Sequence, residues 1–332
     1  MSGIFTILGG GVCGLAIAAE LTRRGARVTV MDSHGAPGEH ACSWWAGGML
    51  APDCEGVSAG QVVVRKGRIA ADWWETNGVN VIRQGTLVVA LGRDQSELAT
   101  FAKRVSKAQM LDRKSLSALE PHLAEHFSKA LFIEDEAHLD PRIALMTLHA
   151  QLSQHVARFN GEGQGQGQGQ GQVIDCRGLA ASDKLPDLRG VKGEMLMVRS
   201  RDVTLARPVR LLHPRFPLYI VPRGDGVFML GATQIESTDR HHAKLRSVME
   251  LMSAAYALHP AFGDAELLQI GVDARPAFPD NQPRIRKFEG RIYANGLFRH
   301  GFLLAPALAQ MTADLVLTGK IPEVWYEDHR ER

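Results

Sequence analysis

No stretch of this chain approaches the roughly 20 consecutive apolar residues that a membrane span requires. The apolar start at Ile4 has no Lys or Arg before it and is interrupted at once by Gly9 to Gly11. Neither a spanning helix nor a secretory leader is therefore expected, no membrane partner is foreseen, and a cytoplasmic setting is the expectation. Cysteine is scarce. Cys13, Cys42, Cys54 and Cys176 form no C-x-x-C pair, which offers no disulfide framework or zinc site. Cys13 and Cys176 fall inside apolar runs, where a buried thiol behaves as a small hydrophobe, and a reducing compartment suits them. Excess charge is lacking too. The 38 basic and 36 acidic residues leave a net charge of +2, spread rather than clustered, so no field for nucleic acid exists. His241 and His242 are adjacent and would point apart on a helix, so no metal site is expected from them.

What is present begins at the N-terminus. Ile4 to Asp32 reads as a complete unit: an apolar run (Ile4, Phe5, Ile7, Leu8), a glycine turn, a helix, and a second β-type run (Val28, Thr29, Val30) closed by an acid. Gly9, Gly11 and Gly14 have the G-x-G-x-x-G spacing. In that pattern the first glycine makes the tight turn, the second lets a pyrophosphate approach, and the third packs helix on strand. The helix that starts near Val12 would offer its free N–H groups and dipole to the anion, and Asp32 stands where a ribose is hydrogen-bonded. A βαβ unit with a tight turn and no ligand would show the glycines alone; here strand, turn, helix, strand and acid occur together.

At 332 residues the length exceeds one comfortable core, so two domains are expected. Helical periodicity marks Ala59–Glu75, Glu97–Ala108, Pro141–Ala157, Ala243–Leu258 and Leu304–Thr318; Asp140 followed by Pro141 is a specific helix start. Short β-rich runs lie at Thr86–Leu91, Leu131–Glu134, Val173–Cys176, Met195–Arg199, Tyr219–Pro222, Val227–Leu230, Leu267–Val272 and Arg291–Ala294. Helices and strands alternate early and strands cluster in the middle. The pattern predicts an α/β fold: a Rossmann-type domain interrupted by a mostly antiparallel sheet domain, with the chain crossing between them more than once. From Gly161 to Gln172 the chain alternates Gly with Gln after one Glu and has nothing apolar to bury, so a flexible surface loop is expected there.

Four segments carry chemistry. In Ser43-Trp-Trp-Ala-Gly-Gly-Met-Leu-Ala-Pro52, two glycines let the backbone approach a flat ligand and Met49 can lie against its face. Val173-Ile-Asp-Cys-Arg-Gly178 is a second glycine-ended strand. Arg275 ends a strand before Pro276, where a stiff backbone can present a guanidinium to fork onto a carboxylate; a surface arginine beside a turn is the bland alternative. Asn295-Gly-Leu-Phe-Arg-His-Gly-Phe-Leu-Leu-Ala-Pro306 leads into a helix whose first N–H groups and dipole suit an electron-rich ligand edge.

Together with Gly193-Glu-Met-Leu-Met197, Tyr219-Ile-Val-Pro-Arg223 and Gly231-Ala-Thr233, these segments resemble the D-amino-acid-oxidase-like flavoproteins, and among them the glycine oxidases of thiamine biosynthesis, over nearly the whole chain. The resemblance implies FAD as cofactor, with Gly9, Gly11, Val12, Gly14, Asp32 and Ser33 at its dinucleotide end. Ser43, Gly48, Met49, Gly178, His300, Gly301, Phe302 and Leu303 would line the rest. It implies an FAD-binding domain at 1–81, 140–192 and 273–332, and a substrate domain at 82–139 and 193–272. Arg275 would clamp the substrate carboxylate, the Tyr219 hydroxyl would donate to it, and Arg299 would stand near substrate and flavin. The implied reaction oxidises the Cα–N bond of glycine or another small amine to the imine, with molecular oxygen reduced to hydrogen peroxide, and the imine supplies thiazole synthesis or hydrolyses to glyoxylate. A homo-oligomer is implied as well. Gln234 stands where one branch of the family has an apolar Met, and the Gly/Gln stretch falls where relatives place strands against adenine. A dehydrogenase of another amino acid, a flavin-binding protein without turnover and an NAD-linked enzyme are the competing readings.

Overall fold

The computed structural model describes residues 3–153, 156–158, 171–213 and 217–328. Strand Ile4–Leu8 lies parallel between Arg27–Asp32 and Gln172–Asp175, with Ile4 opposite Arg27 and Phe5 opposite Gln172. Both of its faces are buried, which is why it reads as a near-continuous apolar run. The full sheet has seven strands, in the order Tyr326–Asp328, Arg284–Phe288, Arg291–Asn295, Gln172–Asp175, Ile4–Leu8, Arg27–Asp32 and Val156–Arg158. Helix Val12–Arg23 crosses over between the first two strands of the chain, and Leu15 to Ala19 on it are all buried. It packs against the C-terminal helix Gly301–Thr318 in the principal core.

A second sheet of nine strands draws on residues 86–133 and 189–277. It is antiparallel except where Val209–Leu212 runs parallel to Thr86–Ala90. Its spine is a long ladder in which Arg189–Arg199 pairs with Glu266–Ala277 from Arg189 opposite Ala277 to Arg199 opposite Glu266. Apolar periodicity alone marks only Met195–Arg199 and Leu267–Val272 of these strands. The remainder carries buried charges that are satisfied from elsewhere: Lys192 Nζ donates to Asp239 at 2.6 Å, and Glu194 accepts from Thr233 Oγ1 and the Lys244 amide. The domain boundaries expected at 192/193 and 272/273 fall inside this ladder.

Other elements differ from expectation for local reasons. The helix expected at Ala59–Glu75 is three, Pro52–Ala59, Gln61–Gly67 and Ala70–Thr76, and the first break is at Gly60, whose φ of +85° no helix tolerates. The helix expected to reach Ala108 ends at Ala102, and Ala108 opens the strand Ala108–Asp112. Helix Pro141–Gln151 starts as expected, with Asp140 Oδ1 accepting from the Arg142 and Ile143 amides. It ends early, because Ala157 belongs to strand Val156–Arg158. His241 and His242 precede helix Leu245–Leu258 rather than lying on it. Cys13 is only half buried, its thiol donating to the Ala294 carbonyl at 3.3 Å. Of the Gly/Gln stretch, 161–170 lies outside the described residues, and Gln172 is already strand rather than loop.

Contrary to expectation, helix Gly301–Thr318 is long and apolar enough to cross a membrane, with a mean hydropathy of 1.4 over 18 residues. That composition serves the core, where Phe302 to Ala309 are all buried. Pro306 sits inside this helix and cannot donate to the Phe302 carbonyl four residues back. The Trp74 indole takes its place, donating to that oxygen at 2.8 Å.

At Gly14 the helix closes tightly on the glycine turn, since a Cβ there would lie 1.9 Å from the Gly9 carbonyl oxygen and 3.2 Å from the Ile7 side chain. Gly14→Ala is therefore expected to push the helix off the sheet and cost about 1–3 kcal/mol, the usual cost of overpacking. A denaturation midpoint equal to the parent's would refute this packing argument.

Candidate active site

The glycine turn opens on a cavity of about 960 Å³ lined by Gly9 to Cys13, Asp32 to His34, Arg177 to Ala180 and Asn295 to Arg299, and reaching Tyr219 and Arg275. Gly9 takes a φ of +99°. The Asp32 carboxylate ties the turn to the second strand, accepting from the Gly10 amide and from the His34 amide, both at 2.8 Å. Beside it the His34 and His40 rings stack with centroids 3.7 Å apart. Ser43 Oγ accepts from the Val12 amide at 3.2 Å. A Cβ on Gly11 would meet only that hydroxyl, at 3.2 Å, so the space over Gly11 belongs to the cavity rather than to the protein. A glycine turn, a helix start and an elongated cavity in line fit a dinucleotide.

A second cavity of about 150 Å³ adjoins the first and shares Gly47, Tyr219, Arg275, Arg299, Gly301 and Phe302 with it. Its wall includes the loop Ala46–Met49, and Met49 pairs across a two-stranded sheet with His138. Behind the loop lies Arg223, whose Nη2 donates to the Gly47 carbonyl at 2.8 Å and to that of Ala46 at 3.4 Å. Burial pushes its guanidinium down to about 10, so it is still charged at neutral pH. Because a trans peptide points its N–H opposite to its C=O, the Gly47 and Gly48 amides face away from Arg223. Burial and the Arg223 charge together push His138 down to about 4, which keeps its ring neutral beside that cation.

Arg275 comes from the end of the long ladder. Its guanidinium lies over Gly193, where any Cβ would approach Nη2 to 2.2 Å, and its Nη1 donates to the Thr233 carbonyl at 3.1 Å. Among the described residues no carboxylate pairs with it. The Tyr219 side chain is held between Gly47 and Gly231, where a Cβ would lie 2.8 Å from its ring and 2.8 Å from its hydroxyl oxygen, respectively. Burial holds its phenol above the usual value, so the hydroxyl keeps its proton and can donate.

Facing these residues is a buried carboxylate, Glu55, on helix Pro52–Ala59. Its Oε1 pairs with Arg210, and its Oε2 forms an ion pair with Arg299 Nη2 and a hydrogen bond with His300 Nε2, each at 2.9 Å. Burial alone would raise this carboxyl; Arg210, Arg299 and His300 hold it well below the usual carboxylate range.

Most of the residues named from sequence converge. Gly9, Gly11, Val12, Asp32, Ser33, Ser43 and Gly178 line the large cavity, while Gly48, Met49, His300 and Leu303 line the small one. Gly14 lines neither, since it sits beneath the turn, packing helix on strand. Gln234 borders the small cavity. Glu55, Arg210 and Arg223 were not foreseen. Asp53 and Glu55 after Pro52 read as ordinary acids of a helix start, and nothing in the sequence joins Glu55 to an arginine 155 positions away.

Gly11 and Gly14 separate function from packing. Gly11→Val would project a branched side chain into open cavity, so the purified variant should lose bound flavin while its apoprotein melts close to the parent. Full flavin occupancy by absorbance would sink the assignment of this cavity.

Comparison with known proteins agrees with this geometry. The model of the FAD dependent oxidoreductase family matches residues 5–315. The "Putative thiamine biosynthesis oxidoreductase ThiO" of Rhizobium etli is 52% identical over 313 residues, covering 93% of this chain and 95% of that protein. A glycine oxidase of Bacillus licheniformis is 26% identical over 97% of this chain and 95% of its own. The crystal structure of glycine oxidase from Geobacillus kaustophilus superposes with a TM-score of 0.78 at 24% identity, covering 98% of this chain and 96% of that one. A turn built for a dinucleotide, an adjoining cavity with an unneutralised arginine, and a family match over nearly the whole length agree: the chain belongs to the FAD-dependent oxidoreductases.

Proposed function

We propose that this protein oxidises glycine, or an amine of similar size, to the imine in the cytoplasm, passes the electrons to molecular oxygen, and supplies the imine to thiazole synthesis for thiamine. The observation that carries the reading is the pairing of Arg275 with Tyr219 in a small cavity beside the Gly47–Met49 loop. About 150 Å³ is about five times the ~30 Å³ share of one water in the liquid, which suits a molecule with few heavy atoms. The names of the ThiO and glycine oxidase relatives favour the same substrate and pathway. Residues 1–81, 140–192 and 273–332 would form the FAD-binding domain and the remainder the substrate domain. A homo-oligomer belongs to this reading.

When bound, FAD supplies the hydride acceptor and hands the electron pair on to oxygen. The chain's own residues would do the positioning. Arg275 forks onto the substrate carboxylate and Tyr219 adds a second donor, fixing Cα with its hydrogen toward the cofactor cavity, and such orientation carries much of the rate. Met49, Leu212 and Pro217 make part of the cavity wall apolar. The N–H groups at the start of helix Gly301–Thr318, with its dipole, would favour an electron-rich ligand edge in the adjoining cavity. Arg223 holds the Ala46 and Gly47 carbonyls on its own side of the loop, which would leave the Gly47 and Gly48 amides to a ligand on the other side.

Anaerobic addition of glycine should bleach the flavin, and admitting air should restore the colour with one peroxide formed per amine oxidised. Reoxidation by a quinone but not by air would make the protein a dehydrogenase, and no bleaching by any of a panel of small amines would refute the reading. Removing one partner of a desolvated charged pair costs about 2–5 kcal/mol. Arg275→Ala should accordingly lower kcat/KM by roughly thirtyfold to several thousandfold with the flavin spectrum retained. Normal turnover of anionic substrates by that variant would mean that another group holds the carboxylate.

A further inference from the structure

Three guanidinium groups, Arg210, Arg275 and Arg299, line one cavity of about 150 Å³. Left to themselves, three such forks in so small a space would welcome a ligand with two acidic groups. Glu55 changes what is available. Its two oxygens engage Arg210 on one side and Arg299 with His300 on the other, and its side chain is only 10% exposed. Those partners keep it ionised. Arg275, by contrast, spends one donor on a backbone carbonyl and meets no carboxylate among the described residues.

The partners come from three separated pieces of chain. Glu55 is on helix Pro52–Ala59, Arg210 on strand Val209–Leu212, and Arg299 on the turn before helix Gly301–Thr318. A buried ion pair is weak evidence for stability, since well-packed apolar residues of similar volume often do as well. The arrangement is better explained by what it does to charge inside the cavity. With Glu55 in place, Arg210, Arg275, Arg299 and that carboxylate sum to two positive charges. Without it they would sum to three.

We infer that Glu55 sets the charge class of the substrate: by occupying Arg210 and Arg299 it leaves a single open guanidinium, so the site accepts monocarboxylic amino acids and discriminates against those with a second acidic group. The inference rests on Arg275 being the carboxylate clamp. Discrimination then comes from a negative charge held where a second carboxylate would have to sit, a repulsive element as well as an attractive one.

The test uses the oxidised holoenzyme without turnover, titrating acetate and malonate and following the perturbation of the flavin spectrum. The parent should bind acetate in preference to malonate. Glu55→Gln should raise the malonate-to-acetate affinity ratio by about tenfold or more. The double variant Glu55→Gln/Arg210→Gln, which restores the parent's charge sum, should return the ratio to near the parent's. Arg210→Gln alone should lower it, and this variant decides the matter if Glu55→Gln does not retain flavin. A ratio unmoved in Glu55→Gln or in Arg210→Gln, or equally raised in single and double variants, overturns the inference. If neither acid perturbs the parent's spectrum, the carboxylate-clamp assignment itself has failed, and the two failures are thereby told apart.

Discussion

The contact between Gly14 and the Gly9 carbonyl governs how the rest of the molecule is arranged. Only a residue without a Cβ lets helix Val12–Arg23 sit that close to strand Ile4–Leu8. From that approach follows the direction of the helix, whose open N–H end borders the large cavity, and the seat against which helix Gly301–Thr318 packs. The start of this second helix borders both cavities. Two helix termini are thus delivered to opposite parts of one elongated site from a single core.

Charge inside this protein is handled by local neutrality. Glu20 is fully buried yet accepts from Arg23, Arg24 and the Trp73 indole. Lys192 and Glu194 inside the long ladder are each paired, and Arg207 meets Glu120 at 2.8 Å. Against that background the half-buried Arg275 stands out, since its guanidinium meets the Thr233 carbonyl but no carboxylate among the described residues. Under the proposed function, the substrate carboxylate would supply the counter-charge that no described residue gives this guanidinium.

The parts of the fold that the sequence made legible are those whose signal is local. The glycine spacing with Asp32, the Asp140–Pro141 helix start and the glycine loop ending at Met49 each declare themselves within a few residues. The Val209–Leu212 strand and the polar half of the long ladder did not, because their buried Arg210, Lys192 and Glu194 are satisfied by groups far away in sequence. The same reason hid Glu55 and Arg223. Glu55 looks like any acid in a first helical turn, and Arg223 like a charge after a strand, until the chain closes and sets them against the cavity wall. Gly60 was the opposite case: the apolar periodicity gives no sign of the break that its positive φ imposes between helices Pro52–Ala59 and Gln61–Gly67.

The ladder of Arg189–Arg199 with Glu266–Ala277 has a mechanical consequence. Its far end is stitched to the other sheet's connections, where the Phe298 amide donates to the Pro276 carbonyl at 3.0 Å, one residue beyond Arg275 and one before Arg299. Two arginines of the small cavity are therefore fixed to one continuous hydrogen-bonded frame. Under the proposed function, that link between their backbones would set the spacing of the two guanidinium groups before a ligand binds.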